Sequence, residues 1–182
     1  MGMTKQILTE INQVVEQIQE SDMDEVVKAI SHAERIFVIG EGRSGLMAKS
    51  FAMRLMHIGA TVYVIGETIT PSLHSGDLLI AISGSGKTHQ VVWSAMKAKE
   101  NDVQVYGLTT DDTSPLANEV DHTLILPAAT KYRKANEAKS IQPLGSLFDQ
   151  SAHIVFDTLC LQYAQLKKVT QNDALKAHSN IE

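Results

Sequence analysis

Apolar and polar positions along the chain change their period repeatedly, and each change marks an element. From Thr4 to Ala33 the apolar residues recur at helical spacing. Ile7, Ile11, Val14, Val15 and Ile18 make one stripe, and Val26, Val27 and Ile30 make a second. The pair Ser21-Asp22 is expected to separate two helices, one of the two residues capping the second. These helices serve either as packing for the domain or as an oligomer contact. A strand is predicted over Arg35–Ile39, followed by the turn Gly40-Glu41-Gly42-Arg43-Ser44-Gly45 and a helix from about Ser44 to Ile58. Gly59-Ala60 ends that helix, and Thr61–Ile65 reads as the next strand. Thr68–Ser75 is a loop, because Pro71 is unsuited to a central strand.

The run Asp77-Leu78-Leu79-Ile80-Ala81-Ile82 reads as a buried strand that feeds into Ser83-Gly84-Ser85-Gly86-Lys87-Thr88. From Thr88 the period becomes helical again, with Val91, Val92, Ala95, Met96 and Ala98 at three- and four-residue spacings. Strands at Val103–Leu108 and His122–Leu126 flank a short helix at Pro115–Glu119. Pro127–Pro143 carries no period, and a loop of that length in a compact domain is usually functional or mobile. In the helix predicted over Leu144–Leu166, Ile154, Val155, Phe156, Leu159, Leu161 and Tyr163 face more than one side. That helix is expected to be buried on both sides, as packing between subunits would do. The tail from Thr170 to Glu182 is polar, with one or two further helical turns.

Strands alternating with helices predict an α/β fold: a three-layer α-β-α sandwich around a five-stranded parallel sheet, with right-handed crossovers. One domain over residues 1–182 is expected, divided into N-terminal helices (1–33), an α/β core (34–166) and a C-terminal tail (167–182). In such sheets ligands sit outside the carboxyl ends of the strands, where both glycine-rich turns fall.

Composition narrows the partners. A net charge of −5 gives no basic footprint for nucleic acid. One cysteine, Cys160, excludes an internal disulfide and a cysteine-rich metal site, and it fits a reducing compartment. No signal-peptide pattern and no apolar run of roughly 20 residues appear. A cytoplasmic protein without a membrane partner is expected.

The chemistry is concentrated in the two turns. Gly40–Gly45 matches G-x-G-x-x-G between a strand and a helix, with Glu67 further on. Against dinucleotide binding, Arg43 and Ser44 add a charge and a hydroxyl that a backbone cradle does not require. The chain also lacks a second half large enough to position a hydride acceptor. Gly86-Lys87-Thr88 ends like a nucleotide-binding P-loop, but Ala81 stands where its first glycine would fall and the loop is too short for two phosphates. A phosphate monoester suits Ser83–Thr88 better. Ser83, Ser85 and Thr88 offer hydroxyls, Lys87 a point charge, and the following helix its N-terminal dipole. The bland alternative is a turn of small residues chosen for geometry, which leaves the serines unexplained.

The block Gly42-Arg43-Ser44-Gly45-Leu46-Met47-Ala48-Lys49-Ser50-Phe51 and its continuation to His57 resembles the first-loop block of the 6-phospho-3-hexuloisomerases, members of the sugar isomerase (SIS) fold family. The resemblance continues through Gly66–Pro71, Gly76–Leu79, the Ser-Gly-Ser-Gly loop, Ile141-Gln142-Pro143-Leu144-Gly145-Ser146-Leu147-Phe148-Asp149-Gln150 and the closing His178-Ser179-Asn180-Ile181-Glu182. It implies a flavodoxin-like SIS domain that converts 3-hexulose 6-phosphate to fructose 6-phosphate in the ribulose monophosphate route of formaldehyde fixation. It also implies a homotetramer whose sites are completed by neighbouring subunits, with no metal or organic cofactor.

Such an isomerisation takes a proton from C2 and returns one to C3 through an enediol(ate), which needs a positioned base and donors for the oxyanion. The resemblance assigns the base to Asp149, where the family usually carries Glu, and brings His178 toward a neighbouring subunit's site. Lys87 is a second departure, standing where most of the family has Glu. Glu67, just past a strand end, is another candidate base or else an exposed loop acid. Arg43 and Ser44 are candidate sugar-hydroxyl or phosphate contacts, and His57 a packing or interface histidine. Lys131, Arg133, Lys134 and Lys139 make the long loop basic, either as a solvated face or leaning toward an anionic ligand. Two other functions stay open: a non-catalytic phosphosugar-binding module, and an isomerase of another sugar phosphate.

Overall fold

The computed structural model describes residues 2–135 and 137–181. Twelve elements follow one another among them: α1 (Met3–Val15), α2 (Glu20–His32), β1 (Ile36–Gly40), α3 (Gly42–His57), β2 (Val62–Val64), β3 (Leu78–Ile82), α4 (His89–Lys99), β4 (Gln104–Thr109), α5 (Pro115–Glu119), β5 (His122–Ile125), α6 (Ser146–Lys167) and α7 (Gln171–Ala177). The five strands are all parallel in the order β2-β1-β3-β4-β5. This is the flavodoxin-like order, and its switch point lies between β1 and β3.

Alternation along each strand decides which layer a residue joins. Ile36, Val38, Leu78, Ile80 and Ile82 pack with α1, α2, α3 and α6 on one face of the sheet, where Phe51 of α3 stacks on Phe156 of α6 at 4.4 Å. Phe37, Ile39, Leu79, Ala81 and Val105 pack with α4 and α5 on the other. Every residue of β3 is buried, as its unbroken apolar run requires of a central parallel strand. At the strand ends away from the switch point, Arg35 Nε donates to Asp77 Oδ1 at 2.8 Å and ties the entrances of β1 and β3.

The N-terminal helices separate earlier than expected. The break lies at residues 16–19, and Ser21 and Asp22 sit inside the first turn of α2. Gln19 holds the N-cap position without a side-chain bond, so the expected Ser21 or Asp22 cap is corrected. Tight turns from Gln17 N to Val14 O and from Ile18 N to Val15 O reverse the chain there, while Ile18 still packs on the core. Asp22 instead places a negative charge near the positive end of the helix dipole.

The long helix has one side covered within the single chain. Val155, Phe156, Leu159 and Tyr163 of α6 are buried, but Ile154 and Leu161 are 44% and 60% exposed. Within one chain α6 is therefore covered on one side only. Leu46, Met53 and Met56 of the neighbouring α3 are exposed as well. Among the described residues no helix is long and apolar enough to cross a membrane.

Candidate functional site

The two glycine-rich turns emerge side by side from β1 and β3, because those strands are neighbours at the switch point. The first turn is drawn tight. A Cβ on Gly45 would lie 2.6 Å from the Gly40 carbonyl oxygen, so only glycine lets α3 start this close to the strand it leaves. That contact accounts for the G-x-G-x-x-G spacing without a dinucleotide. It also places Arg43 and Ser44 in the first turn of α3 rather than in a loop.

The second turn is shaped by its own side chains. Ser83 is buried, and its hydroxyl lies 2.8 Å from that of Thr88 across the loop. Ser85 Oγ accepts from the Lys87 backbone N–H at 3.3 Å. Gly86 has φ +61°, and a Cβ there would stand 2.1 Å from Ser114 Oγ, so a side chain is excluded twice over. Gly84 lets the Phe148 ring approach to within 2.9 Å of where its Cβ would be. Thr88 is the N-cap of α4 but spends its side chain on Ser83, leaving the first N–H groups of α4 without a side-chain cap.

Between the turns lies a pocket of about 280 Å³, the size for a small ligand. Glu41, just before α3, and Arg43 and Ser44 in its first turn line it, as do Gly84, Ser85 and Thr88 from the β3–α4 loop. Thr130, Lys131 and Leu144 of the long loop and Gly145, Phe148 and Asp149 at the start of α6 complete it. Asp149 is the buried carboxylate of this pocket. It is only 5% exposed, yet it carries a carboxylate held by two partners. Ser44 Oγ donates to Oδ1 at 2.8 Å, and Arg43 Nε stands 3.5 Å from Oδ2. Burial pushes the Asp149 carboxyl above its ordinary range, while the Ser44 hydrogen bond and the Arg43 charge pull it back in part. Arg43 also donates from Nη1 to Ser146 Oγ at 2.8 Å, which fixes its guanidinium over the first turn of α6.

The structure thus brings Arg43, Ser44, Ser85, Thr88 and Asp149 together around one cavity, with Ser83 directly beneath. The remaining candidates lie elsewhere in the single chain. Lys87 is exposed and is absent from the pocket lining. Glu67 pairs with Lys49 at 2.8 Å, both half exposed. His178 stacks on His57 of its own α3 with ring centroids 5.2 Å apart, while Glu182, the last residue of its motif, lies outside the described residues. Among the described residues no group of three or more His, Cys, Asp or Glu is placed to hold a metal ion.

The basic loop divides its charges. Lys134 pairs with Asp111 at 2.8 Å and holds that carboxyl well below the usual range. Arg133 donates to the Gln142 carbonyl, and Lys131 lines the pocket. Several pocket residues gave little warning in the sequence. Thr130 and Glu41 sit in stretches without period, and Leu144, exposed and with φ +53°, reads as an ordinary start to an apolar helix. Phe148 was foreshadowed only by the Pro-Leu-Gly-Ser-Leu-Phe segment to which it belongs.

Comparison with known proteins gives this arrangement a family. The SIS domain model matches residues 29–154, which include both turns and Asp149. A protein of Bacillus subtilis named 3-hexulose-6-phosphate isomerase is 37% identical over 177 residues, covering 97% of this chain and 96% of its own. One of the same name from Mycobacterium gastri is 40% identical over 157 residues, covering 86% and 78%. A solved structure from Methanococcus jannaschii, for which a molecular function of 3-hexulose-6-phosphate isomerase has been inferred, superposes with a TM-score of 0.86. It is 30% identical and covers 98% of each chain. The chain belongs to the SIS domain family, in the company of its relatives named 3-hexulose-6-phosphate isomerase.

Proposed function

We propose that this protein is a sugar-phosphate isomerase that interconverts 3-hexulose 6-phosphate and fructose 6-phosphate. The observation that carries the reading is Asp149: a buried carboxylate of raised pKa, facing a hydroxyl-rich helix-N-terminal loop across a pocket of small-ligand size. The relatives at 37% and 40% identity bear the isomerase name.

The chemistry follows from the geometry. Ser85, Thr88 and the open first turn of α4 receive the phosphate, whose binding energy fixes the reacting carbons. The Asp149 carboxylate takes the proton from C2, α to the C3 carbonyl, and the electron pair of that C–H bond forms C2=C3 with negative charge on O3. Returning a proton to C3, with the O2 proton passing to O3, leaves the carbonyl at C2. A carboxyl raised toward neutral pH is a stronger base once ionised, and such proton transfer typically contributes about 10²–10⁴-fold. Arg43, fixed by Ser146, supplies positive charge beside the developing oxyanion.

On this reading the protein serves the ribulose monophosphate route of formaldehyde fixation in the cytoplasm, without metal or organic cofactor. A tetramer is proposed as its working form, with a second copy covering the exposed Leu46, Met53, Ile154 and Leu161 and with His178 reaching a neighbour's site. Lys87 and Glu67, outside the pocket of one chain, are left to such neighbouring contacts or to the surface. The test is direct: purified protein is given 3-hexulose 6-phosphate without added metal, and fructose 6-phosphate is measured. Turnover supports the reading. Binding of sugar phosphate without turnover replaces it with a phosphosugar-binding module.

A further inference from the structure

Glu10 lies in α1, more than thirty positions before any pocket residue in sequence. Its carboxylate nevertheless accepts three hydrogen bonds from one short segment of the long loop. Ser140 Oγ donates at 2.7 Å, the Ile141 backbone N–H at 2.8 Å and Gln142 Nε2 at 3.1 Å. Burial works to raise the Glu10 carboxyl, but these donors and the charge of Arg133 hold it below its ordinary range. The latch therefore stays ionised wherever a metabolic enzyme works. It is a permanent fastening and not a pH switch.

The fastened segment is joined to both walls of the pocket. Gln142 is buried, and its carbonyl accepts from Arg133, which ties the far limb of the loop to the near one. On that far limb Glu137 accepts from the Thr130 N–H at 2.8 Å and from its hydroxyl at 2.6 Å. Thr130 and Lys131 line the pocket there, and Leu144 and Gly145 line it just beyond Gln142, four to five residues before Asp149. Because α1 packs on α6, Glu10 refers the loop to the same helix that carries Asp149.

We propose that Glu10 is a positioning residue for the sugar-phosphate pocket, holding the 127–143 loop so that Thr130, Lys131 and Leu144 form its wall. The inference rests on the isomerase reading for its effect on substrate, but the latch can be read without activity, because Lys131, Arg133, Lys134 and Lys139 make the loop a trypsin target. Glu10→Gln keeps the shape of the side chain, removes its charge and turns an amide donor against the donors it faces. In that variant, cleavage within residues 131–139 is expected to speed up at least tenfold, while cleavage elsewhere keeps its wild-type rate. KM for 3-hexulose 6-phosphate should rise fivefold or more with kcat within about threefold, and Glu10→Asp should fall between. Fructose 6-phosphate should slow loop cleavage in the wild type and lose that protection in Glu10→Gln.

Unchanged loop cleavage overturns the proposal, as does faster loop cleavage with unchanged KM. Faster cleavage over the whole chain also overturns it, because Glu10 would then serve only the packing of α1. Should Glu10→Gln fail to fold, Glu10→Asp carries the same comparison. If the wild type shows no turnover, the isomerase reading falls by itself. The latch is then judged by loop cleavage and by loss of fructose 6-phosphate protection, and it falls if either is absent.

Discussion

The Ser44 hydroxyl donates a 2.8 Å hydrogen bond to Asp149 Oδ1, joining the first turn of α3 to the first turn of α6 across 105 positions of sequence. This one bond sets both the orientation of the carboxylate and part of its acidity. Burial raises the Asp149 pKa, and the Ser44 donor lowers it by favouring the ionised form.

Activity should therefore fall on the acid side as Asp149 is protonated, with the limb of kcat/KM lying above the ordinary aspartate value of 3.8. Ser44→Ala removes a stabiliser of the ionised form, so the limb should move to higher pH. The check is a pH series of kcat/KM for both proteins. A limb that stays put, or moves down, removes Asp149 from the role of base.

The same residue makes an opposite prediction for stability. Because the folded pKa of Asp149 is raised, ionising it costs stability as pH rises through that value, and the protein is relatively favoured below it. Asp149→Asn should abolish about 10²–10⁴ of the rate yet raise the melting temperature at pH 8. For a chain of this length each kcal/mol relieved corresponds to about 2–4 °C. The gain should fade when melting is repeated at acid pH, where the wild-type carboxyl is already neutral. A loss of rate accompanied by a lower melting temperature at every pH would mark Asp149 as structural.

Two serines in one loop should separate. Ser85 lines the pocket, whereas the Ser83 hydroxyl is buried against Thr88. A hydrogen bond to a charged group is worth about 1.5–3 kcal/mol, so Ser85→Ala should raise KM roughly tenfold or more with little change in melting temperature. Ser83→Ala should lower the melting temperature, since it leaves Thr88 without its partner, and its effect on KM should be the smaller. Steady-state kinetics and calorimetry on the two variants decide the point. Equal KM values for Ser85→Ala and wild type would move the phosphate away from this loop.

The sheet was legible in the sequence because its signals are local: apolar runs, glycine turns and helical stripes, each complete within about fifteen residues. The five-stranded parallel sheet followed from the alternation of strand and helix together with the resemblance to a known fold, and the structure supplies its order, β2-β1-β3-β4-β5. The break between α1 and α2 was misread because Ser21 and Asp22 are good caps wherever they stand, whereas the chain turns earlier to bury Ile18. What stayed hidden is non-local. Nothing around Glu10 announces that it grips residues 130 positions away, and nothing around Lys87 says that it stays out of the pocket lining while Lys131 joins it. Which side of α6 is covered is equally invisible to periodicity, since Ile154 and Leu161 are as apolar as the residues the core takes.

That uncovered side carries the last prediction. Leu46 and Met53 on α3, and Ile154 and Leu161 on α6, recur at seven-residue spacing and leave large apolar side chains 44–61% exposed. Both helices lie on one face of the sheet, so their exposed residues belong to one layer. Where exposed apolar side chains on two packed helices form one patch, such a patch is uncommon on a monomer and fits an interface. A second copy of this chain is the proposed cover, since His178 stacks on His57 in its own subunit and does not line that subunit's pocket. Leu161→Glu would bury a charge in such an interface and should shift the protein in sedimentation from a tetramer to a smaller species. Folding should survive, because Leu161 is 60% exposed and the core beneath it is untouched. If His178 acts in trans, the Leu161→Glu protein should lose the same activity as His178→Ala, and combining the two should cost no more than either alone. A fully active monomer would overturn both the oligomeric face and the role of His178.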